Sequence, residues 1–203
     1  MTALPTARAY KFLARGAIGP ITRVAWPLAT GDRPGDWLGD GRPASLCRSG
    51  VHACAREHLA YWLHEELWQV ELDGETLAGP DCVISPRARL LQKIAPWSDG
   101  GGAQRFATAV RDHAATLVAA CDDPAERGYL GGYVQDSSWH VTNAQPESPA
   151  LAALCAAMAV AKLEERRAQR SDDQATSAEI LEGAYRRERA WQSAWIAAEM
   201  ELS

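Results

Sequence analysis

The residues able to do chemistry concentrate in one stretch, "CRSGVHACAREHLAYWLHEELWQVEL", running from Cys47 to Leu72. Cys47, His52, Cys54, His58 and His64 all fall within eighteen residues. Thiols and imidazoles at such density serve one of three ends: a metal site, a nucleophile with its base, or a packed core. Zinc takes three or four Cys, His or carboxylate ligands in a tetrahedral array. The spacing Cys47-x4-His52-x-Cys54 offers three, with Cys82 or His58 as a fourth, but the usual C-x2-C knuckle is missing, and the expectation is that no metal is held.

A nucleophilic thiol is the second chemistry. Cys54 stands just before a stretch of helical period, where free N–H groups and the helix dipole lower a thiol pKa. His52, two residues earlier on an extended segment, shares its face and can act as base. His52 and Cys54 are therefore the candidate catalytic residues, and Trp37, Trp62 and Trp68 are candidate walls for a ligand. The competing reading is packing. Free Cys is among the most buried residue types and acts as a small hydrophobe, and a single His near a strand end is commonly a hydrogen-bonded structural residue. Other motifs fall short: His64-Glu65-Glu66 has Trp68 where a zinc-protease helix needs its second His.

Several elements must position these residues. "AYKFL" is a strand, and "ITRVAWP" a second, closed by Pro27. Gly and Pro punctuate "LATGDRPGDWLGDGRPAS" too often for a ladder, so it is loop. In "SGVHAC" the alternation sends Val51 and Ala53 to the core and His52 to a pocket or polar partner. "REHLAYWLHEEL" has Leu59, Trp62, Leu63 and Leu67 at helical spacing. "LWQVELDGE" alternates as a half-buried strand ended by Asp73-Gly74, and "CVISPRARLL" is a strand pair broken at Pro86. Beyond residue 100 the chain turns Ala-rich, with helices over 103–121, 150–170 and 175–202; residues 125–143 are ambiguous because Gly128, Gly131 and Gly132 weaken a helix. Arg166, Arg167 and Arg170, like Arg186, Arg187 and Arg189, alternate with acids and read as solvated helix faces. The fold class is α+β: a small N-terminal mixed sheet with one short helix over 1–97, a Gly-rich mobile joint over 98–104, and a helical domain of three to four helices over 105–203.

The segments "YKFL", "LCRSGVHAC", "LWQVELDGE" and "RARLL" together resemble a family of uncharacterised bacterial, actinobacterial-like proteins. These share a Tyr-Lys start and a Cys-x2-Gly-[Val/Phe/Leu]-His-Ala-Cys core; the resemblance covers residues 9–97 and implies a domain without implying a reaction. A fainter likeness is to ADP-ribosyltransferase-like domains. There a Gly-containing strand, a helix and a following strand build one wall of a nicotinamide pocket, as "GVHAC", "AREHLAYWL" and "LWQVEL" would. That likeness matches Glu71 to the later Glu of such sites and adds it to the ligand-binding candidates; "AYKFL" lacks the strand-borne His of the pattern.

Composition bounds the function classes. The 203 residues carry a net charge of −5, with 11 basic and 10 acidic residues over 1–97 and 10 and 16 over 98–203. An acidic chain has no global field for nucleic acid or anionic membrane. Arg8, Lys11, Arg15 and Arg23 precede the first acid, Asp32, so a basic face there is one place for an anionic ligand. Five cysteines, an odd number with no convincing leader before them, point to free thiols in a reducing cytoplasm. The most apolar run, "ALAALCAAMAVA" over 150–161, is shorter than the ~20 residues of a membrane helix. The reading is a Trp-rich cytoplasmic protein with a small-molecule pocket near His52 and Cys54. No cofactor or oligomeric state is specified by any motif. Two alternatives stand beside it: a transferase resembling ADP-ribosyltransferases, and a non-catalytic module that docks a protein through its helical half.

Overall fold

The structure, a computed structural model, describes residues 7–46, 48–170 and 176–202. The fold is α+β. The chain divides into two units: one runs up to Gly102 and takes back the stretch beginning at Glu199, and the other is Ala103–Ala198.

The first unit is built from two antiparallel three-stranded sheets. One has β1 (Ala7–Leu13), β3 (Glu66–Asp73) and β6 (Arg87–Lys93) in the order β1-β3-β6. The other has β2 (Val51–Ala53), β5 (Val83–Ser85) and β4 (Leu77–Ala78) in the order β2-β5-β4. The alternation of β3 sets its register: Trp68, Val70 and Leu72 join Ala9, Leu13, Ala88 and Leu90 in a core that also takes Trp26 and Ala53. Each large side chain buried there is worth roughly 1.5–3 kcal/mol. Val51 packs on the same core, as the strand's alternation requires.

Two connections join the sheets. Pro86 alone separates β5 from β6, because a residue without an N–H ends one ladder and redirects the chain. On the other side a single bridge pairs Tyr10 with Cys54, each N–H donating to the other's carbonyl at 2.9 and 2.8 Å. The outer edge of β6 is covered by a loop, through Gly35 N–H to Leu90 O at 2.9 Å and the reciprocal bonds of Leu38 and Ala88, which protects an otherwise open strand.

Three expectations are corrected. The amphipathic helix expected over "REHLAYWLHEEL" is a short 3₁₀ helix, Arg56–Tyr61. Its continuation is lost because Glu66 and Leu67 belong to β3, paired in register with Leu13 and Phe12; ladder bonds and burial outweigh a short helical period. "ITRVAWP" is no strand. Gly19 accepts from Arg23 N–H at 2.9 Å and donates to Val24 O at 2.8 Å, which closes a tight loop with Arg23 at φ 59°. The segment 98–104, expected as a free joint, holds the division between the units after Gly102 but carries defined bonds. A four-residue helix, α1 (Ala95–Ser98), is followed by bonds from Asp99 and Gly100 N–H to Ala95 O, and Gly102 is buried where a Cβ would lie 2.6 Å from Pro96 O. Glycine is used there for close approach rather than for freedom.

The second unit consists of α2 (Gly102–Ala119, entering from the first unit), α3 (Pro124–Asn143), α4 (Ser148–Arg170) and α5 (Ser177–Glu199, leaving for it). Asp123 caps α3 by accepting from Ala125 N–H at 2.9 Å, with Pro124 in the first turn. Residues 124–143 are helical throughout despite three glycines, since tertiary packing overrides weak propensity: Leu130, Ser137 and Val141 are buried, and Ser137 donates to Ala152 O at 3.0 Å. Of the arginine faces, Arg167, Arg170, Arg186 and Arg187 are exposed, as expected of solvated faces. Arg166 and Arg170 reach the buried carboxylate of Glu126 from such a face. Arg189 is the correction: it is buried and donates to Gln192 Oε1 at 2.9 Å.

Candidate functional site

The site is best built outward from the bridge between Tyr10 and Cys54. In an antiparallel ladder, paired residues two further along bond again. Here, among the described residues, the bridge has no second ladder pair beside it. The carbonyl of His52 is taken instead by the ammonium of Lys11, at 2.7 Å. Lys11 comes from β1, opposite Trp68 of β3, and its Nζ lies 6.0 Å from the Trp26 ring. Among the described residues no carboxylate pairs with it. Burial pushes its ammonium below the usual lysine range, while the nearby Cys54 and Cys82 sulfurs act the other way. A half-buried lysine satisfied only by a neutral carbonyl is uncommon, because lost hydration is normally offset by an acid.

Gly50 starts this strand for a steric reason. Its φ is 104°, and a Cβ would meet Ile84 Cγ2 and Ser85 O at 2.9 Å. The Gly of the Cys-x2-Gly-Val-His-Ala-Cys segment thus serves the backbone, and Val51 and Ala53 serve the core. His52 is half-buried, and its imidazole is held below the ordinary histidine value by burial and then by Lys11, so it is neutral at physiological pH.

Cys54 is corrected as a nucleophile. It is 1% exposed, its thiol donates to Tyr10 O at 3.3 Å, and burial pushes its pKa up to about 12 against the smaller lowering by Lys11. The helix dipole expected to lower it is missing, because the helix beyond Cys54 is only a six-residue 3₁₀ turn. Cys47 lies outside the described residues. Among the described residues no group of three or more His, Cys, Asp or Glu is placed to hold a metal ion.

The tryptophans divide. Trp62 caps the 3₁₀ helix and donates its indole N–H to Asp81 O at 2.7 Å, beside Cys82 and within the electrostatic surroundings of Cys54. Trp68 is buried next to Lys11, its indole N–H on Glu66 Oε2 at 3.0 Å. Trp37 is elsewhere. Its ring stacks on Arg89, 4.4 Å from the guanidinium carbon, and Arg87 lies 5.5 Å away. Glu71 belongs to that second group, ion-paired with Arg89 at 2.5 Å. Trp68 thus stands opposite Lys11 and Trp62 is tied to Asp81, whereas Trp37 and Glu71 belong to a separate group with Arg87 and Arg89.

Sequence reasoning missed two residues here. Lys11 was legible only as one of four early cations, and nothing in its spacing signals the His52 carbonyl. Glu66 was read as part of a helix. Its buried carboxylate accepts from Gly16 and Ala17 N–H, both at 3.1 Å, and from Trp68. Ala17 is at φ 57°, a strained region for a residue with a Cβ, and its carbonyl accepts from Trp26 N–H at 2.9 Å. Glu66 thereby holds the turn that brings Trp26 over Lys11. Burial alone would raise its pKa, but the Trp68 indole, the two backbone N–H groups and Lys93 hold it below the usual carboxylate value.

A second polar cluster lies in the helical unit. His113 Nε2 is 3.3 Å from the buried Glu188 carboxylate, and its ring stacks on Trp191 with centroids 3.9 Å apart. Glu188 is also met by Gln192, whose amide donates to Ala153 O at 3.0 Å, so the cluster ties α5 to α2 and α4. No helix among the described residues is long and apolar enough to cross a membrane. Compared with known family models, curated proteins and solved structures, the chain matches none.

Proposed function

We propose that the N-terminal unit binds a small molecule beside the Tyr10–Cys54 bridge through Lys11 and His52, with Trp26 next to Lys11. One observation carries this reading: Lys11 is held half-buried on the His52 carbonyl, with no acid among the described residues to balance it. An arrangement that costs folding free energy and has no structural counterpart is the kind kept for function. The neutral, half-exposed His52 adds a donor or acceptor at the same place. All four described cysteines are free, which supports a reducing, cytoplasmic setting. The transferase reading would draw on Glu71, whose carboxylate is engaged by Arg89, so it gains no support.

The test is a fragment titration followed by the His52 imidazole resonances. Binding at this site shifts them in the wild-type chain and is weakened in Lys11→Met. Fragments that bind while His52 and its strand neighbours stay unshifted would overturn the reading.

The docking reading is favoured by a different observation. Tyr129 and Trp139 on α3, and Leu151 and Leu154 on α4, are exposed, with Trp139 at 60%. Large exposed aromatics are enriched at interfaces. A Trp139→Ser variant with unchanged melting but altered sedimentation would support it, and identical sedimentation over a wide concentration range would count against self-association.

A further inference from the structure

The chain has only three lysines, Lys11, Lys93 and Lys162. Lys93 is ion-paired with Glu66 at 3.4 Å and with Asp99 at 3.0 Å, and Lys162 with Glu165 at 2.8 Å. Against the opposite pull of burial, Asp99 and Glu66 hold the Lys93 ammonium above the usual lysine range, and a protonated amine has no lone pair to offer. Lys11 differs in every respect that governs nucleophilicity. Its one hydrogen-bond partner is a carbonyl, which a neutral amine satisfies as well as an ammonium does. Its surroundings are the Trp26 ring and the packed faces of β1 and β3, and a low-dielectric setting favours the neutral form. The residue keeps part of its surface exposed.

We propose that Lys11 is a carbonyl-condensing residue, its Nζ forming a Schiff base with a small aldehyde. The neutral Nζ attacks the carbonyl carbon and gives a carbinolamine. Loss of the former carbonyl oxygen as water, with two protons from nitrogen, leaves the C=N bond. No oxidant or reductant is consumed. The hydrogen bond to His52 O orients the amine by holding one N–H and leaves the lone pair for the attack. Desolvated lysines are the usual means of keeping an amine nucleophilic at neutral pH. The proposal rests on the small-molecule reading above and names its chemistry.

The experiment uses the full chain, propionaldehyde and cyanoborohydride at neutral pH, with peptide mapping of the three lysines over time. Lys11 is expected to be alkylated at least about tenfold faster than Lys93 and Lys162, whose amines are held by acids. The preference is expected to vanish in urea, where all three become ordinary lysines. In Lys11→Arg, which keeps a donor to His52 O, the fast site is lost while Lys93 and Lys162 are unchanged. Labelling of Lys11 at or below the rate of the other two in the folded chain would overturn the proposal. If fragments still shift His52 in that event, a non-covalent site stands and only the condensation falls. If neither occurs, both readings fall.

Discussion

The protonation of Cys54 can be tested by its effect on stability. The thiol is 1% exposed and its pKa is raised from the ordinary 9.0 to about 12. A raised folded pKa means that the folded chain holds its proton more tightly than the unfolded one. The contribution is thus fully present below pH 9 and is lost as pH climbs toward 12. Working the linkage between these two values, the loss is roughly 1.4 kcal/mol by pH 10 and roughly 2.7 kcal/mol by pH 11. Cys54→Ala removes the titrating group at a cost of about 1 kcal/mol at neutral pH, for a small cavity and a weak S–H bond. Urea unfolding followed by Trp fluorescence, at intervals from pH 8 to 11, gives both curves. Wild type should start the more stable and fall below Cys54→Ala before pH 11. Lys11 and the other basic groups titrate in both proteins, so the difference curve isolates Cys54 to first order. Parallel curves would show that the thiol is not desolvated as described, and would reopen its candidacy as a nucleophile. At pH 7.5 the same shift leaves a thiolate fraction on the order of 10⁻⁵ to 10⁻⁴, so thiol reagents should meet a silent Cys54 in the folded chain.

Val51→Asp should destabilise the first unit by roughly 3 kcal/mol, since it drives an unpaired charge against the core, whereas His52→Ala should stay within about 1 kcal/mol; equal losses in paired thermal melts would make His52 a packing residue. Glu66→Gln should cost roughly 2–3 kcal/mol at pH 7 by weakening charge-assisted bonds to Gly16, Ala17 and Trp68. Because the folded pKa of Glu66 is depressed, its contribution is present above the ordinary carboxylate value and lost in acid. Wild type and variant should therefore converge below about pH 4 in denaturant titrations, and a constant gap would refute the charge argument. Gly102→Ala places a Cβ 2.6 Å from Pro96 O and 2.8 Å from Met200 Cε, and should lower stability by about 2 kcal/mol or more by differential scanning calorimetry; an unchanged melt would show that the turn relaxes freely.

Periodicity alone determined the strands that matter most. The alternation of Trp68, Val70 and Leu72 is a local property of the chain, as is the break at Pro86, and both survive in β3, β5 and β6. The helices of the second half were legible for the same reason: Ala-rich runs bounded by Asp123-Pro124 and by Pro146 and Pro149 carry their own stop and start signals. The split of "GVHAC" into core-facing Val51 and Ala53 with His52 between them came from the two-residue period of a strand.

Tertiary structure decided the rest, because the deciding partners are distant in sequence. Residues 64–67 have a helical period, but the ladder to Leu13 and Phe12, more than fifty residues away, takes Glu66 and Leu67 into β3. Cys54 looks alike in sequence whether it stands at a helix dipole or under Tyr10 O; burial separates the two, and burial is a property of the assembled sheet. Lys11 is one cation among four until the fold sets it 41 residues away in sequence on the His52 carbonyl, apart from any acid. Charge and hydropathy are written along the chain, but the desolvation that lowers the pKa of a lysine is set by what packs around it.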